Sequence, residues 1–245
     1  MIGQLFTSSI GGTIIAGGSK SGNQADQLTR PTCIVLDKKT NSLIISDRGN
    51  RRVVRWLCEN AMVGQTIIPN MDADGLALDN AGYLYISDRN KHEVRRWRIG
   101  DSTGVIVAGG NEVGDRLDQL NDPRHIFVDE NHSIYISNRK NHRVMKWTKD
   151  AKEGIVVAGG HGMGNSLMQL HGPEGIVVDP SGTVYVADHN NHRIVQWSEG
   201  DTQGSIIIDG NQLRHPVGLS FDEQGNLCVA DMSNHRVQKF PIHSV

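Results

Sequence analysis

One stretch of 14 residues occurs in five versions along the chain, and this repetition constrains the fold more than any other feature. Each version starts with alternating β-branched and aromatic residues, passes through a short stretch rich in Asp, Asn and His, and ends on Trp or Phe. Such alternation is typical of a half-buried strand, and short polar side chains favour a tight turn. The five versions are residues 43–56, 84–97, 134–147, 184–197 and 227–240. The sequence therefore predicts five strand–turn–strand units.

The spacing of the repeats identifies the type of unit. A marker Asp precedes each strand–turn–strand stretch, at Asp37, Asp79, Asp129, Asp179 and Asp222, with spacings of 42, 50, 50 and 43 residues. Two further apolar runs accompany each stretch, one before it and one after it. A full unit therefore has four strands, labelled a to d in chain order, and the stretch itself forms strands b and c. Periods in the forties with four short strands are typical of β-propeller blades. We therefore predict an all-β, five-bladed β-propeller of four-stranded antiparallel blades.

The ends of the chain suggest how the ring closes. The last unit stops after strand c, while the Gly12–Gly18 segment (GTIIAGG) closely matches strand d at residues 154–160 (GIVVAGG). We expect this N-terminal strand to complete the C-terminal blade, which removes a free sheet edge. The predicted single domain is 1–245, with blades at about 33–69, 75–109, 125–159, 175–209, and 218–240 plus 12–18. A monomer is favoured; a strand-swapped dimer, or part of a six-bladed or larger assembly, is the alternative.

The turn sequences resemble a known repeat family. Asn141-His142-Arg143-Val144 recurs as Asn191-His192-Arg193-Ile194 and Asn234-His235-Arg236-Val237, which is similar to the NHL repeat. The resemblance implies propellers that present one face to protein, RNA or glycan partners. It also implies an alternative, because a peptide-amidating lyase with similar repeats uses a metal in its channel. The chain departs from the family at Asn50-Arg51-Arg52 and Lys91-His92-Glu93, and in having five blades where six are common.

Composition narrows the classes of partner. The formal net charge of −2 provides no global basic field for DNA, RNA or a membrane surface. The 4 Phe, 4 Trp and 4 Tyr fall mostly at blade positions, which weakens an RNA-binding interpretation. No apolar run approaches ~18 residues and the N-terminus lacks a signal-peptide pattern, so we predict no membrane partner and leave the compartment open. The three cysteines occupy non-equivalent positions, which favours reduced thiols over a disulfide framework.

Residues that vary between blades are better candidates for a binding site than residues that repeat. One variable position follows the turn Asp and forms the rim residues, which could attract an anionic partner: Arg48, Arg89, Arg139 and His189, with Met232 in blade 5. The alternative is that each arginine pairs with a neighbouring acid. The repeated Asp, His and Trp positions are interpreted as blade structure, because equivalent positions lie far apart around a ring.

A second variable position lies just before strand a, at the mouth of the predicted central channel. We call the candidates there the mouth residues: Thr32, Asp74, Arg124, His125, Glu174 and His215. They could bind a polar ligand, since channel mouths are concave and lined by several blades, or they could satisfy one another as ion pairs.

Three function classes follow from these residues. A non-catalytic scaffold that binds a protein, a glycan or another polar or anionic ligand is favoured, with RNA binding as an alternative. A channel-metal lyase or hydrolase is the enzymatic alternative. A structural unit of a longer assembly is the third class. No catalytic residue, metal ligand or cofactor is predicted, because no metal-ligand spacing or nucleophile motif is present.

Overall fold

The computed structural model describes residues 14–18, 20–59 and 62–242. These residues form strands and short turns, and their helical parts are single 3-10 turns at Arg48–Asn50, Arg139–Asn141, His189–Asn191 and Met232–Asn234. None of these turns is long or apolar enough to cross a membrane. The strands are β1 Ile34–Asp37, β2 Ser42–Asp47, β3 Arg52–Leu57, β4 Gln65–Pro69, β5 Ala73–Leu78, β6 Tyr83–Asp88, β7 Glu93–Arg98, β8 Val105–Gly109, β9 Pro123–Val128, β10 Ile134–Asn138, β11 Arg143–Trp147, β12 Ile155–Gly159, β13 Pro173–Val178, β14 Val184–Asp188, β15 Arg193–Trp197, β16 Ser205–Ile208, β17 Pro216–Phe221, β18 Leu227–Asp231 and β19 Arg236–Phe240.

The strands form five antiparallel sheets, each made of strands that are consecutive in sequence. Blades 1 to 4 have four strands each, β1–β4, β5–β8, β9–β12 and β13–β16, and blade 5 contains β17, β18 and β19. Strands b and c pair without interruption, whereas strand d joins strand c through a register shift in each four-stranded blade. The predicted all-β, five-bladed propeller is confirmed.

The hydrophobic core lies between the blades. Tyr85 and Val94 of blade 2 pack with Ile134, Ile136 and Trp147 of blade 3, and equivalent clusters join blades 1 to 2, 3 to 4 and 4 to 5. Burying one such apolar side chain contributes about 1.5–3 kcal/mol. Because both faces of each inner sheet are covered, the blades hold one another in place.

Each core tryptophan needs a glycine at the start of the following strand d. A Cβ atom on Gly154 would lie 2.7 Å from the ring of Trp147, and one on Gly104 would lie 2.4 Å from the ring of Trp97. These separations are too short for any side chain, so glycine is what allows the large ring to fill the space under the loop.

The turn between strands b and c is built in the same way in several blades. In blade 4, β14 ends at Asp188, His189–Asn191 form a 3-10 turn, and His192 adopts the left-handed conformation with φ 58°. His142 and His235 take the same conformation. Histidine is among the non-glycine residues that tolerate this region best, which gives the repeated His a backbone role.

A buried carboxylate fastens this turn to its surroundings. Asp188 Oδ1 accepts the N–H of His171 at 2.7 Å, and its Oδ2 accepts Asn191 Nδ2 at 2.8 Å and Arg193 Nε at 2.7 Å. Asp47 and Asp231 make the corresponding three contacts. The repeated Asp is therefore structural, as predicted from its repetition, and so are the Asn and Arg that contact it.

The predicted closing strand is not found in the described part of the chain. Gly12 lies outside the described residues, and residues 14–18 belong to no strand. Ala16 packs with Leu28 against the blade 1 core, and no described hydrogen bond, ion pair or core cluster joins blade 5 to blade 1. The described part of the motif therefore packs on blade 1.

Among the described residues, no strand pairs with the outer edge of strand c in blade 5, and the burial of this strand differs from that in blade 3. Val237 is 64% exposed, whereas Val144 at the equivalent position of blade 3 is fully buried at 0%. We predict that Val144→Lys lowers the free energy of unfolding by about 3 kcal/mol or more, because it places a charge in the core. Val237→Lys should change it by less than about 0.5 kcal/mol. Urea unfolding of the two variants measures this, and equal losses would show that β19 is covered in solution.

Candidate functional site

The rim residues and the mouth residues come together on one face of the propeller. We call it the turn face, because it carries the turns between strands b and c. The first residue of each turn reaches the start of strand a in the next blade: Arg48 Nε lies 3.0 Å from Asp72 Oδ1, and Arg89 Nε lies 2.6 Å from Asp122 Oδ1. Arg139 likewise reaches across to the next blade. The rim arginines therefore reach the segments that carry the mouth residues, and they contact two of the mouth residues directly, Asp74 and Glu174.

Asp74 is at the centre of this network. Its Oδ2 atom lies 3.3 Å from Arg124 Nη1, 3.4 Å from Arg89 Nη1 and 3.7 Å from Arg48 Nε. Its side chain is 5% exposed, so the charge is nearly removed from water and must be paired. Three arginines from three blades compensate one buried carboxylate.

The network continues into blades 3 and 4. Asp122 contacts Arg124 Nε at 3.2 Å and Arg139 Nη1 at 3.4 Å, and Arg139 Nε lies 2.7 Å from Glu174 Oε1. Acids and arginines thus alternate from blade 1 to blade 4, and we call the whole set the ion-pair circuit. Its members are Arg48, Asp72, Asp74, Arg89, Asp122, Arg124, Arg139 and Glu174.

The circuit tunes the ionisation of its members. Burial by itself raises the pKa of Asp122, but the Arg89 hydrogen bond and the Arg124 charge more than offset it, so the pKa lies below its usual value. For Arg89, burial alone would lower the pKa of the guanidinium. The hydrogen bond and the charge of Asp122 outweigh this effect of burial, so the pKa is raised. The carboxylate of Asp122 therefore stays ionised and engaged, which leaves it unsuited to act as a general base.

The other mouth residues have different surroundings. Thr32 Oγ1 donates to the main-chain oxygen of Asp74 at 2.9 Å. The His125 ring has no hydrogen-bond partner among the described residues, and burial lowers its pKa, which favours the neutral imidazole. His215 is separate from the circuit, and its Nδ1 atom lies 2.9 Å from Ser233 Oγ.

Blades 4 and 5 replace the arginine contacts by histidine contacts. The His189 ring donates from Nδ1 to the carbonyl oxygen of Pro216 at 3.1 Å, and its centroid lies 4.9 Å from that of His215. His192 lies on the other side of His215, with 4.3 Å between ring centroids. Met232, the fifth residue of the series, is 49% exposed.

Sequence reasoning did not find what the repeated histidines do between blades. His192 Nδ1 accepts the N–H of His215 at 3.1 Å, and His142 Nδ1 accepts the N–H of Gly172 at 3.1 Å. His92 accepts from Asp122 in the same way at 3.2 Å. Each acceptor is a neutral imidazole nitrogen, so protonation would remove the bond. A signal was present, because the residue whose N–H is accepted stands directly before a proline in all three cases, but it lies 30 residues after the His in two blades and 23 in the third.

The charged mouth residues are engaged in ion pairs, and a groove lies on the other side of the propeller. Among the described residues, no group of three or more His, Cys, Asp or Glu is placed to hold a metal ion. A groove of about 510 Å³ lies between the turns of Asp79, Asp129 and Asp179, at the ends of strands a that are remote from the mouth residues. The acidic side chains of the circuit on the turn face are therefore compensated by neighbouring arginines.

The sequence comparisons identify the family of the repeats. The NHL repeat model matches residues 170–197 and 213–240, which contain the turns of blades 4 and 5. The chain is a five-bladed β-propeller in which two blades match the NHL repeat. A search of curated protein sequences gave no match.

Solved structures with the same fold have diverse descriptions. A gluconolactonase from Xanthomonas campestris is 18% identical, with a TM-score of 0.66 over 88% of this chain and 77% of that one. A chain of a nidogen/laminin complex is 15% identical, with a TM-score of 0.66 over 88% and 81%. A streptogramin B lyase is 9% identical, with a TM-score of 0.59 over 89% and 70%. At these identities the similarity shows the propeller fold alone.

The role of Asp74 gives a first prediction for this face. Asp74→Asn removes the charge that three arginines share, and we expect the free energy of unfolding to fall by about 3 kcal/mol, as when one partner of a buried ion pair is lost. Asp118→Asn, in an exposed pair with Arg116, is the matched control and should not change stability measurably. Urea unfolding at neutral pH measures both, and a stability loss at Asp74 no larger than at Asp118 would contradict the closed network.

The histidine acceptors give a second prediction, on pH. Burial is the main cause that lowers the pKa values of His142 and His192 in the folded state, while an unfolded histidine has a pKa of about 6.5. The unfolded chain therefore takes up protons first, so stability is full above about pH 6.5 and is lost as the pH falls below it. We expect the urea midpoint to drop between pH 7.5 and 5.5.

A variant of His192 separates this effect from other titrations. Asn at position 192 can accept the same N–H and tolerates the left-handed conformation, but it does not titrate. His192→Asn should therefore reduce the drop in the urea midpoint, whereas His161→Asn, at an exposed loop position, should leave it unchanged. An unchanged drop in His192→Asn would rule out this histidine as a source of the pH dependence.

Proposed function

We propose that this propeller is a non-catalytic scaffold that binds a macromolecular partner, a protein with an acidic surface, on its turn face. The observation that carries the proposal is the ion-pair circuit, which occupies the channel mouth with paired side chains. Small-molecule sites are usually concave and largely apolar, with a few polar groups free to contact the ligand. A surface whose carboxylates are already engaged in ion pairs suits a large partner better than a small substrate that needs free polar groups.

The free charges on this face lie at the tips of the turns. Arg51, Lys91 and Lys140 are exposed, and none forms an ion pair with a described residue. They occur in three successive blades beside arginines that the circuit already uses. An array of this kind favours partners with negative surface charge, and it speeds association at low salt.

Two comparisons bear on the class of partner. One similar fold comes from a complex of nidogen with laminin, so a chain of this fold in a protein–protein complex has a structural parallel. The four tryptophans of this chain are at most 6% exposed, which leaves none of them to stack on bases. A protein partner is therefore proposed ahead of RNA, and an anionic glycan is an outcome that the test must distinguish.

Site-specific photo-crosslinking tests the proposed face. A benzoylphenylalanine at Asn90 lies on the turn face, and one at Lys149 lies on the opposite face. We expect protein crosslinks in extracts of the source cells from position 90 and not from position 149. The triple variant Arg51→Glu, Lys91→Glu, Lys140→Glu should reduce them at least tenfold, and raising the salt concentration should do the same.

A matched charge reversal on the opposite face controls for nonspecific effects. Lys38→Glu, Lys149→Glu, Lys152→Glu changes the net charge by the same amount away from the turn face. It should leave crosslinking from position 90 unchanged. Equal loss in both triple variants would contradict a specific site, and retention on a sulfated-glycan column without protein crosslinks would assign the face to glycans.

A hydrolase or lyase is the second candidate. It is favoured by the similarity of the fold to a gluconolactonase and a streptogramin B lyase, and by the neutral, unpartnered imidazole of His125 near the channel mouth. Incubation with an aldonolactone or a streptogramin B tests it. Turnover that is lost in His125→Ala but kept in His161→Ala would overturn the scaffold proposal.

A further inference from the structure

One place in the blade framework brings buried hydrogen-bond donors together without an acceptor. In blades 1, 4 and 5, the carboxylate at the end of strand b accepts both an arginine Nε and an asparagine Nδ2. For Asp188 these partners are Arg193 at 2.7 Å and Asn191 at 2.8 Å. In blade 3 the carboxylate is replaced by the amide of Asn138, while the arginine and the asparagine are retained as Arg143 and Asn141.

The orientation of the Asn138 amide is set by the main chain. Its Oδ1 atom accepts the N–H of Asn121 at 2.8 Å, which corresponds to the contact of Asp188 with His171. Its Nδ2 atom therefore faces the side where the other blades have a carboxylate oxygen. Turning the amide over would place Nδ2 against the N–H of Asn121, so neither orientation satisfies both sides.

Two buried donors remain without a partner at this point. Asn138 is 0% exposed and Arg143 is 8% exposed, and they lie directly opposite each other in the register of β10 and β11. Asn138 Nδ2 and Arg143 Nε have no hydrogen-bond partner. The guanidinium keeps a contact from Nη2 to the carbonyl oxygen of Arg116 at 2.8 Å.

Arg143 also lacks an ion-pair partner among the described residues. Arg193, its equivalent in blade 4, has the Asp188 carboxylate and three loop carbonyls as acceptors. Arg143 makes no ion pair with a described residue, and burial lowers its pKa, with Asp115 offsetting this only in part. A buried cation without a counter-charge is costly, and breaking such pairs is strongly destabilising in proteins.

We propose that a monatomic anion, chloride under ordinary conditions, binds between Asn138 Nδ2 and Arg143 Nε in place of the missing carboxylate oxygen. The anion accepts hydrogen bonds from both N–H groups. It also supplies the negative charge that an Asp carboxylate provides in blades 1, 4 and 5. A water molecule could accept the same two hydrogen bonds but would leave the charge of Arg143 uncompensated. A polyatomic anion needs more room than the single carboxylate oxygen occupies in the other blades.

Chloride dependence of stability is the first test. Thermal unfolding is followed at constant ionic strength while sodium chloride replaces sodium gluconate. We expect the midpoint to rise with chloride concentration and then level off, as for a ligand that binds only the folded state. The ³⁵Cl NMR line of a chloride solution should broaden in the presence of the folded protein.

Two substitutions exchange the amide of blade 3 and the carboxylate of blade 4. Asn138→Asp supplies the carboxylate, so it should raise the midpoint in gluconate above that of the unaltered protein and abolish the chloride dependence. Asp188→Asn creates the same mismatch in blade 4 and should increase the chloride dependence. The ³⁵Cl broadening should disappear in Asn138→Asp, which keeps the test decisive even if Asp188→Asn does not fold.

Each result has one meaning for the proposal. Equal midpoints in chloride and gluconate, with a more stable Asn138→Asp, would show that water fills the position and would overturn anion binding. Chloride dependence that persists in Asn138→Asp would place the ion elsewhere and would also overturn it. A crystal soaked in bromide should show an anomalous peak between positions 138 and 143, and a peak at another location only would contradict the assignment.

Discussion

The buried carboxylate at the end of strand b is the interaction on which the rest of this propeller depends. At Asp188 it joins strand b to the turn through Asn191, to strand c through Arg193, and to the loop after strand d through the N–H of His171. A charge in this position is stable only if all its partners are present, because desolvation costs several kcal/mol for an unpaired ion. Turn, loop and strands are therefore specified together, which explains why the stretch repeats as a block.

The side chains that point away from this framework determine the character of the turn face. Once the turn is held, its first residue necessarily extends toward the next blade, where it meets the residues that precede strand a. Arg48, Arg89 and Arg139 meet acids there, while His189 meets a carbonyl oxygen. The chemistry of the face thus changes around the ring, from ion pairs in blades 1 to 3 to neutral contacts in blades 4 and 5.

Departures from the repeat show how the framework accommodates change. In blade 2, Glu93 occupies the arginine position, and Arg95 from the same strand pairs with it at 2.5 Å. The Asp88 carboxylate opposite is buried, which raises its pKa, and it uses the N–H groups of Asn90 and Lys91 instead. Blade 3 lacks such a compensation, since Asn138 leaves Arg143 without a counter-charge. Comparison of the repeats therefore distinguishes a substitution whose charge is paired again within the same blade from one that leaves a charged side chain without a partner.

The sequence by itself determined the local elements of this protein. The alternation of 184–188, the turn residues Asp188 and Asn191, and the spacing of the marker Asp residues predict strands, turns and five blades, because each depends on contacts within one repeat. The tertiary structure alone decided which residues of different blades meet. Arg89 lies 33 residues from Asp122 and reaches it only across a blade boundary, and Ala16 carries the strand d motif yet packs on blade 1 without reaching β19. Both outcomes depend on the rotation between neighbouring blades, which is set by core packing such as that of Trp147 rather than by any pattern within a repeat.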